Sequence, residues 1–171
     1  KLFLKVNRKK TNVAHFRNVK YLGYSFYRCK GECRFRVHPK SVSKMKNKIR
    51  ELTDRNKGMS NVIREERYQQ YVRGWVQYFR LADMKSLLKT TDEWARRRIR
   101  AVYWKQWKKI KTKYRMLKAL GMEHWREKEL ACSRKGYWRM AKVLNQIFSN
   151  KIIAKLGYTS FLDYYLIVCE N

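Results

Sequence analysis

The chain has 171 residues, 44% of them apolar. That is enough to bury a core in one domain or one and a half, and it argues against intrinsic disorder although 33% of the residues are charged. Lys and Arg number 43 against 13 Asp and Glu, a formal charge of +30. Such an excess repels itself in a compact fold and points to a polyanionic partner, because neutralising phosphates releases counterions. No apolar run of about 18 residues is present, so no membrane span is expected. No signal peptide is visible, so the expected location is cytoplasmic (bacterial) or organellar, not secreted. The opening stretch KLFLKVNRKKTNV has no Met and starts on strand-like alternation, so the chain is expected to be a piece of a longer protein.

Residues 1–37 read as β-structure. Leu2, Leu4 and Val6 alternate with Lys1, Phe3 and Lys5, as in a half-buried strand. Residues 19–27 are rich in β-branched and aromatic side chains, Lys30-Gly31-Glu32 supplies a turn, and residues 33–37 alternate on the way back. An antiparallel meander is expected. Pro39, the only proline, closes this region, and Ser41 is expected to cap a helix behind it.

The remainder reads as helical. A first helix over 41–56 carries one apolar stripe of Val42, Met45, Ile49 and Leu52, and Gly58 ends it. A second, over 61–80, has Tyr68, Val72, Trp75, Val76 and Phe79 on its apolar side. Gly74 lies mid-helix, where it costs about 1 kcal/mol relative to Ala, which predicts close approach of another backbone. A third helix, over 84–111, places Leu88, Ala95, Ile99, Val102 and Ile110 on a core seam. Arg96, Arg97, Arg100, Lys108 and Lys111 fall on a different side, together with Trp104 and Trp107. From 96 to 118 there are eleven basic residues and no acidic one. Shorter helices follow over 113–120, stopped by Gly121, over 123–132, over 138–156, stopped by Gly157, and over 161–168, capped by Ser160.

Catalytic constellations are missing from the sequence. His15, His38 and His124 are isolated, and no phosphate-loop, zinc-protease or serine-hydrolase motif occurs. Asp54, Asp83, Asp92 and Asp163 are scattered, and no Asp-Asp pair exists that could hold two metals. Cys29 and Cys33 flank a turn and are expected to face each other across a hairpin. With Cys132 and Cys169 they read as structural thiols, since a zinc site wants four convergent ligands. No catalytic residue and no metal site is expected here.

Binding chemistry remains. Arg96, Arg97, Arg100, Lys108 and Lys111 can reach phosphates, while Trp104 and Trp107 can stack on unpaired bases; the other reading of each tryptophan is packing against the later helices. Unpaired bases and 2′-OH groups favour RNA as the partner. The stretch SRKGYWRM is a second candidate, with Arg134, Lys135 and Arg139 around Gly136, Tyr137 and Trp138 before a helix start, or else an ordinary loop anchored by its Trp. Lys44, Lys48 and Arg55 on the first helix complete the candidate set. Competing readings are a nuclease built from the scattered acids and a basic DNA-binding module without catalytic activity.

Specific strings carry a family resemblance. FLKVNRKKT followed by VKYLGYSFY resembles the end of the palm in group II intron reverse transcriptases, and HPKSVSKMKNKIRELTDRN resembles their first thumb helix. The stretch YVRGWVQYFRLADMKSLLKTTDEWARRRIRAVYWKQWK resembles the maturase-specific segment, with Arg73, Gly74 and Trp75 on one motif and Arg96, Arg97, Arg98 and Arg100 on its basic run. SRKGYWRM and FSNKIIAKLG resemble the end of bacterial maturases. The resemblance implies a mainly α fold with a small N-terminal antiparallel β segment: palm strands over 1–38, a three-helix thumb or maturase domain X over 39–112, and a helical extension over 113–171. It implies group II intron RNA and an RNA/DNA template–primer duplex as partners, with self-association through exposed palm strands. It also implies a parent RNA-directed DNA polymerase whose Mg2+-binding carboxylates lie outside these residues, leaving no cofactor for this stretch.

Overall fold

The computed structural model describes residues 14–170, so the strand expected over residues 2–6 lies outside the described residues. Two strands, eight α-helices and two short 3-10 turns make up the described chain. Strands β1 (Tyr24–Cys29) and β2 (Glu32–Val37) form an antiparallel hairpin with Tyr24 opposite Val37 and Phe26 opposite Phe35. Lys30 and Gly31 connect them with φ of 48° and 87°, the left-handed pair that matches the twist of a two-residue hairpin. Cys29 pairs with Glu32 and Cys33 with Arg28, so the two thiols sit on opposite faces of the hairpin and do not face each other. All four cysteines are free.

The strand expected from residue 19 starts only at Tyr24, because Leu22 and Gly23 turn the chain with φ of 48° and 85°. That turn anchors the hairpin to the helices. A Cβ on Gly23 would sit 3.0 Å from Ser41 Oγ and 3.1 Å from the Phe79 ring, and the Gly23 carbonyl accepts from Ser41 Oγ at 3.1 Å. Ser41 is therefore a tether inside the first turn of α1 (Pro39–Leu52). The cap is His38, whose Nδ1 accepts from the Lys40 N–H.

Met45, Ile49 and Leu52 of α1 are buried as their spacing predicts, and so are Tyr68, Val72, Trp75, Val76 and Phe79 of α2 (Asn61–Phe79). Ser60 caps α2. Arg64 is also buried, donating to the Leu52 carbonyl at 3.1 Å and to Asn61 Oδ1 at 2.8 Å. It thereby satisfies an orphan carbonyl at the end of α1. Among the described residues no neighbouring element comes within 4 Å of where a Gly74 Cβ would be, so none of them makes the predicted backbone approach.

Helix α3 (Lys85–Gln106) is the axis of the molecule, with α1, α6 (Tyr137–Val143) and α8 (Phe161–Glu170) packed on it, while α2 packs on α1 and α8 and reaches α3 through the Tyr103–Glu65 and Asn61–Gln106 hydrogen bonds. It ends five residues before the expected 111. Trp107 leaves the helix and packs edge-on to Trp104 at 5.9 Å and against Phe148 at 6.5 Å, and the chain restarts as α4 (Ile110–Ala119). Ile110, placed on the core seam by the wheel, is 57% exposed at the start of α4.

After α5 (His124–Ala131), the helix expected over 138–156 divides into α6, a 3-10 turn at Leu144–Gln146, and α7 (Asn150–Lys155) capped by Ser149. Phe148 is buried at the break. The buried side chains from Val37 to Tyr165 form one cluster, so residues on both sides of position 112 share a core. On the hairpin, Tyr21, Leu22 and Phe35, with Leu81, leave an exposed apolar surface around a hollow of about 210 Å³.

Candidate nucleic-acid interface

The charged side chains of α3 divide into those used by the fold and those left at its edge. Asp92 is buried, and its carboxylate accepts from Phe161 N, Leu162 N and Ser160 Oγ at 2.9, 2.9 and 2.7 Å. It caps α8 from another helix, filling three donors that the start of α8 would otherwise leave open. Burial raises the Asp92 pKa, while these hydrogen bonds oppose the rise.

Arg100 is 3% exposed. Its Nε donates to the Phe148 carbonyl and an Nη to Asn150 Oδ1, both at 2.8 Å, which ties α3 to the break before α7. Burial, then the nearby Arg96 guanidinium, pulls its pKa down to about 10, so it stays protonated at neutral pH. Trp104 and Trp107 are 2% and 6% exposed. The wheel put Arg100, Trp104 and Trp107 on a solvent side, and the structure places all three in the core. The wheel assumes a single buried face, but α3 has neighbours around most of its girth, and residues 99–104 are buried without interruption. Indoles in such a place have no free face for a base.

Lys108 and Lys111 remain exposed, but on the α3–α4 junction and α4, off the helix that was meant to align them with Arg96. Lys44 and Lys48 are exposed on α1, Lys48 in an ion pair with Glu51 at 2.9 Å. Arg134, Lys135 and Arg139 are exposed around the start of α6. That helix has only seven residues, and no side chain caps its N-terminus.

The tertiary structure brings three separate stretches of these cations together. Arg97 lies 4.1 Å over the Trp138 ring and donates to the Trp138 carbonyl through Nε and Nη2 at 3.3 and 3.1 Å. Arg55, just past α1, lies 5.1 Å over the Tyr137 ring. Arg50 and Arg98 lie 5.4 and 5.3 Å over Trp94, and Arg98 donates to Thr53 Oγ1 at 2.7 Å. Burial, then Arg50 and Arg55, lowers the Arg98 pKa. Among the described residues none of these stacked cations makes an ion pair, although Asp54 acts electrostatically on Arg98, so much of their charge is left for an outside anion.

Beside this patch, between α3, α6 and the start of α7, a cleft of about 490 Å³ opens. Arg96, Arg97, Arg100, Lys142, Asn145 and Asn150 line it, with Glu93 at its edge. Among the described residues Arg96 and Lys142 make no hydrogen bond or ion pair and can meet phosphates, although the Arg96 charge also favours the ionised form of the buried Asp92. Trp138, 41% exposed, keeps part of its ring accessible. The arrangement supplies phosphate donors and an aromatic face within one surface, the two components of single-strand RNA binding.

Trp94, Lys142, Asn145 and Asn150 belong to this surface and were not singled out from the sequence. Only the Trp94–Arg98 pair had a local signal, its spacing of one helical turn. The others depend on α6 crossing α3. Among the described residues no three His, Cys, Asp or Glu side chains come together to hold a metal, and no helix is long and apolar enough to cross a membrane.

Compared with known families, residues 42–125 match the group II intron, maturase-specific domain. This span takes in α1, α2, α3 and α4, and so the Arg50, Arg55, Trp94, Arg96, Arg97 and Arg98 side of the surface. No curated protein matches the chain.

Proposed function

We propose, from the premise that residues 42–125 of this chain belong to the group II intron maturase-specific domain family, that the chain grips group II intron RNA through the face where α3 meets α6 and the end of α1. The observation that carries the reading is the convergence of Arg55, Arg96, Arg97 and Lys142 with Trp138 on one surface, where basic side chains outnumber the nearby acids Asp54 and Glu93. Arg96 and Lys142 hold backbone phosphates, the Arg97–Trp138 stack offers a partly open indole to an unpaired base, and Asn145 and Asn150 supply polar contacts to sugar or base.

The same reading makes this the thumb or maturase part of an RNA-directed DNA polymerase, with template–primer duplex as a second client. The sequence contains no Asp-Asp pair of the kind that would hold two metals, and on this reading polymerisation and its Mg2+ belong to the parent protein. The test is binding of the chain to its intron RNA and to duplex DNA of equal length over a salt series. Tighter RNA binding, with a shallower salt dependence than DNA, is the expected result. Equal affinity and equal slope for the two would sink RNA selectivity and favour a general basic DNA-binding module.

A further inference from the structure

Gly74 lies in the middle of α2, exposed, and makes no contact that explains it. Its φ lies outside the left-handed region, and no neighbouring atom comes within 4 Å of where a Cβ would stand. A mid-helix glycine weakens the helix relative to alanine, and nothing inside the described chain offsets that weakness. The bare backbone instead forms part of an open groove between α1 and α2, about 570 Å³ in volume. Leu52, Tyr71 and Trp75 supply its apolar surface, and Lys48, Arg67 and Gln70 its polar groups. Glu51 also lines it but is held by Lys48 Nζ at 2.9 Å and Lys57 Nζ at 3.2 Å, so two lysines answer one carboxylate and Arg67 adds further positive charge.

We propose that this groove is a second RNA contact, in which a ribose–phosphate stretch of the bound RNA lies against the bare backbone of α2 at Gly74. Phosphates meet Lys48 and Arg67, and a sugar face meets the partly exposed ring of Tyr71. The net positive rim selects a polyanion, and the missing methyl lets its sugar edge reach the helix backbone. The proposal rests on the RNA-binding reading above but uses none of the α3–α6 residues.

Two substitutions in the intact chain test it, because binding and stability should move in opposite directions. Gly74→Ala should melt several degrees higher, since alanine favours the helix and meets open space, yet bind intron RNA several-fold more weakly. Gly74→Leu, still pointing into open space in the free protein, should weaken RNA binding roughly tenfold, the scale of forcing extra methylenes into an occupied contact. Thermal melting and RNA titration on the same samples give both readouts. A folded Gly74→Leu variant with unchanged RNA affinity overturns the groove as an RNA contact. If the unsubstituted chain fails to prefer RNA over DNA, the underlying reading falls; if it prefers RNA and the Gly74 variants do not weaken binding, only the groove falls.

Discussion

Arg96 and Arg100 stand one helical turn apart on α3, and they do opposite work. Arg100 is sealed against the Phe148 carbonyl and Asn150, a cation consumed by the fold. Arg96 sits half-buried in the cleft without a hydrogen-bond or ion-pair partner among the described residues, a cation left for something else. The same division separates Asp92, spent on the N-terminus of α8, from Glu93 at the edge of the cleft. Adjacent charges on one basic helix thus serve stability or binding according to what packs over them, and the charge count alone does not separate the two roles.

Removing a charge from the inner group should cost the fold most. Asp92→Ala leaves three donors at the start of α8 unfilled in a buried place, at about 1–3 kcal/mol for the desolvated groups together with a lost cap of about 1 kcal/mol. Urea unfolding should show a clear drop in midpoint. Arg100→Ala should fall in the same class, about 1–3 kcal/mol, since it orphans the Phe148 carbonyl. If either variant keeps wild-type stability and loses RNA binding instead, the division into inner and outer charges is wrong.

Trp138→Ala probes the boundary between the groups, because the indole both carries Arg97 and presents a partly open face. A stacked base is worth about 1–3 kcal/mol, while the exposed cation–π contact is worth about 0.5–1 kcal/mol. Titration with single-stranded RNA should therefore show a larger loss than thermal melting does. A loss confined to melting would make Trp138 a structural anchor only.

The smallest stability effect belongs to the outer cations. Lys142→Ala should change unfolding free energy by no more than about 0.5 kcal/mol, the range of ordinary surface substitutions, and Arg96→Ala by somewhat more, because Arg96 is half-buried and its charge favours the ionised Asp92. Each should lower RNA affinity across all sequences alike and reduce the magnitude of the salt slope by roughly 0.7, as the loss of one phosphate contact requires. An unchanged slope in both variants would remove the cleft from the binding surface.

Much of the fold was legible because its signals are local. The stripes of α1 and α2, the Lys30–Gly31 turn and the stops near Gly121 and Gly157 follow from periodicity and from the few residues that accept a left-handed backbone. The site was legible in outline. Its basic runs, the SRKGYWRM stretch and Arg55 were all visible in the amino-acid string, and each does contribute to the observed surface or lie near it. The end of α3 was not visible, since neither proline nor glycine marks it and Trp107 leaves the helix to reach Trp104 and Phe148.

By itself, then, the sequence determined a helical, strongly basic chain with a short hairpin and the likeness to a maturase-specific segment. Tertiary structure alone decided which cations are free. A helical wheel knows one helix and predicts one buried face, whereas α3 is covered by partners that arrive about 40 to 70 residues later in the chain. Those partners bury Arg100, Trp104 and Trp107, cap α8 with Asp92, and place Trp138 under Arg97, because unpaired donors and large apolar rings must be satisfied wherever the chain crosses them.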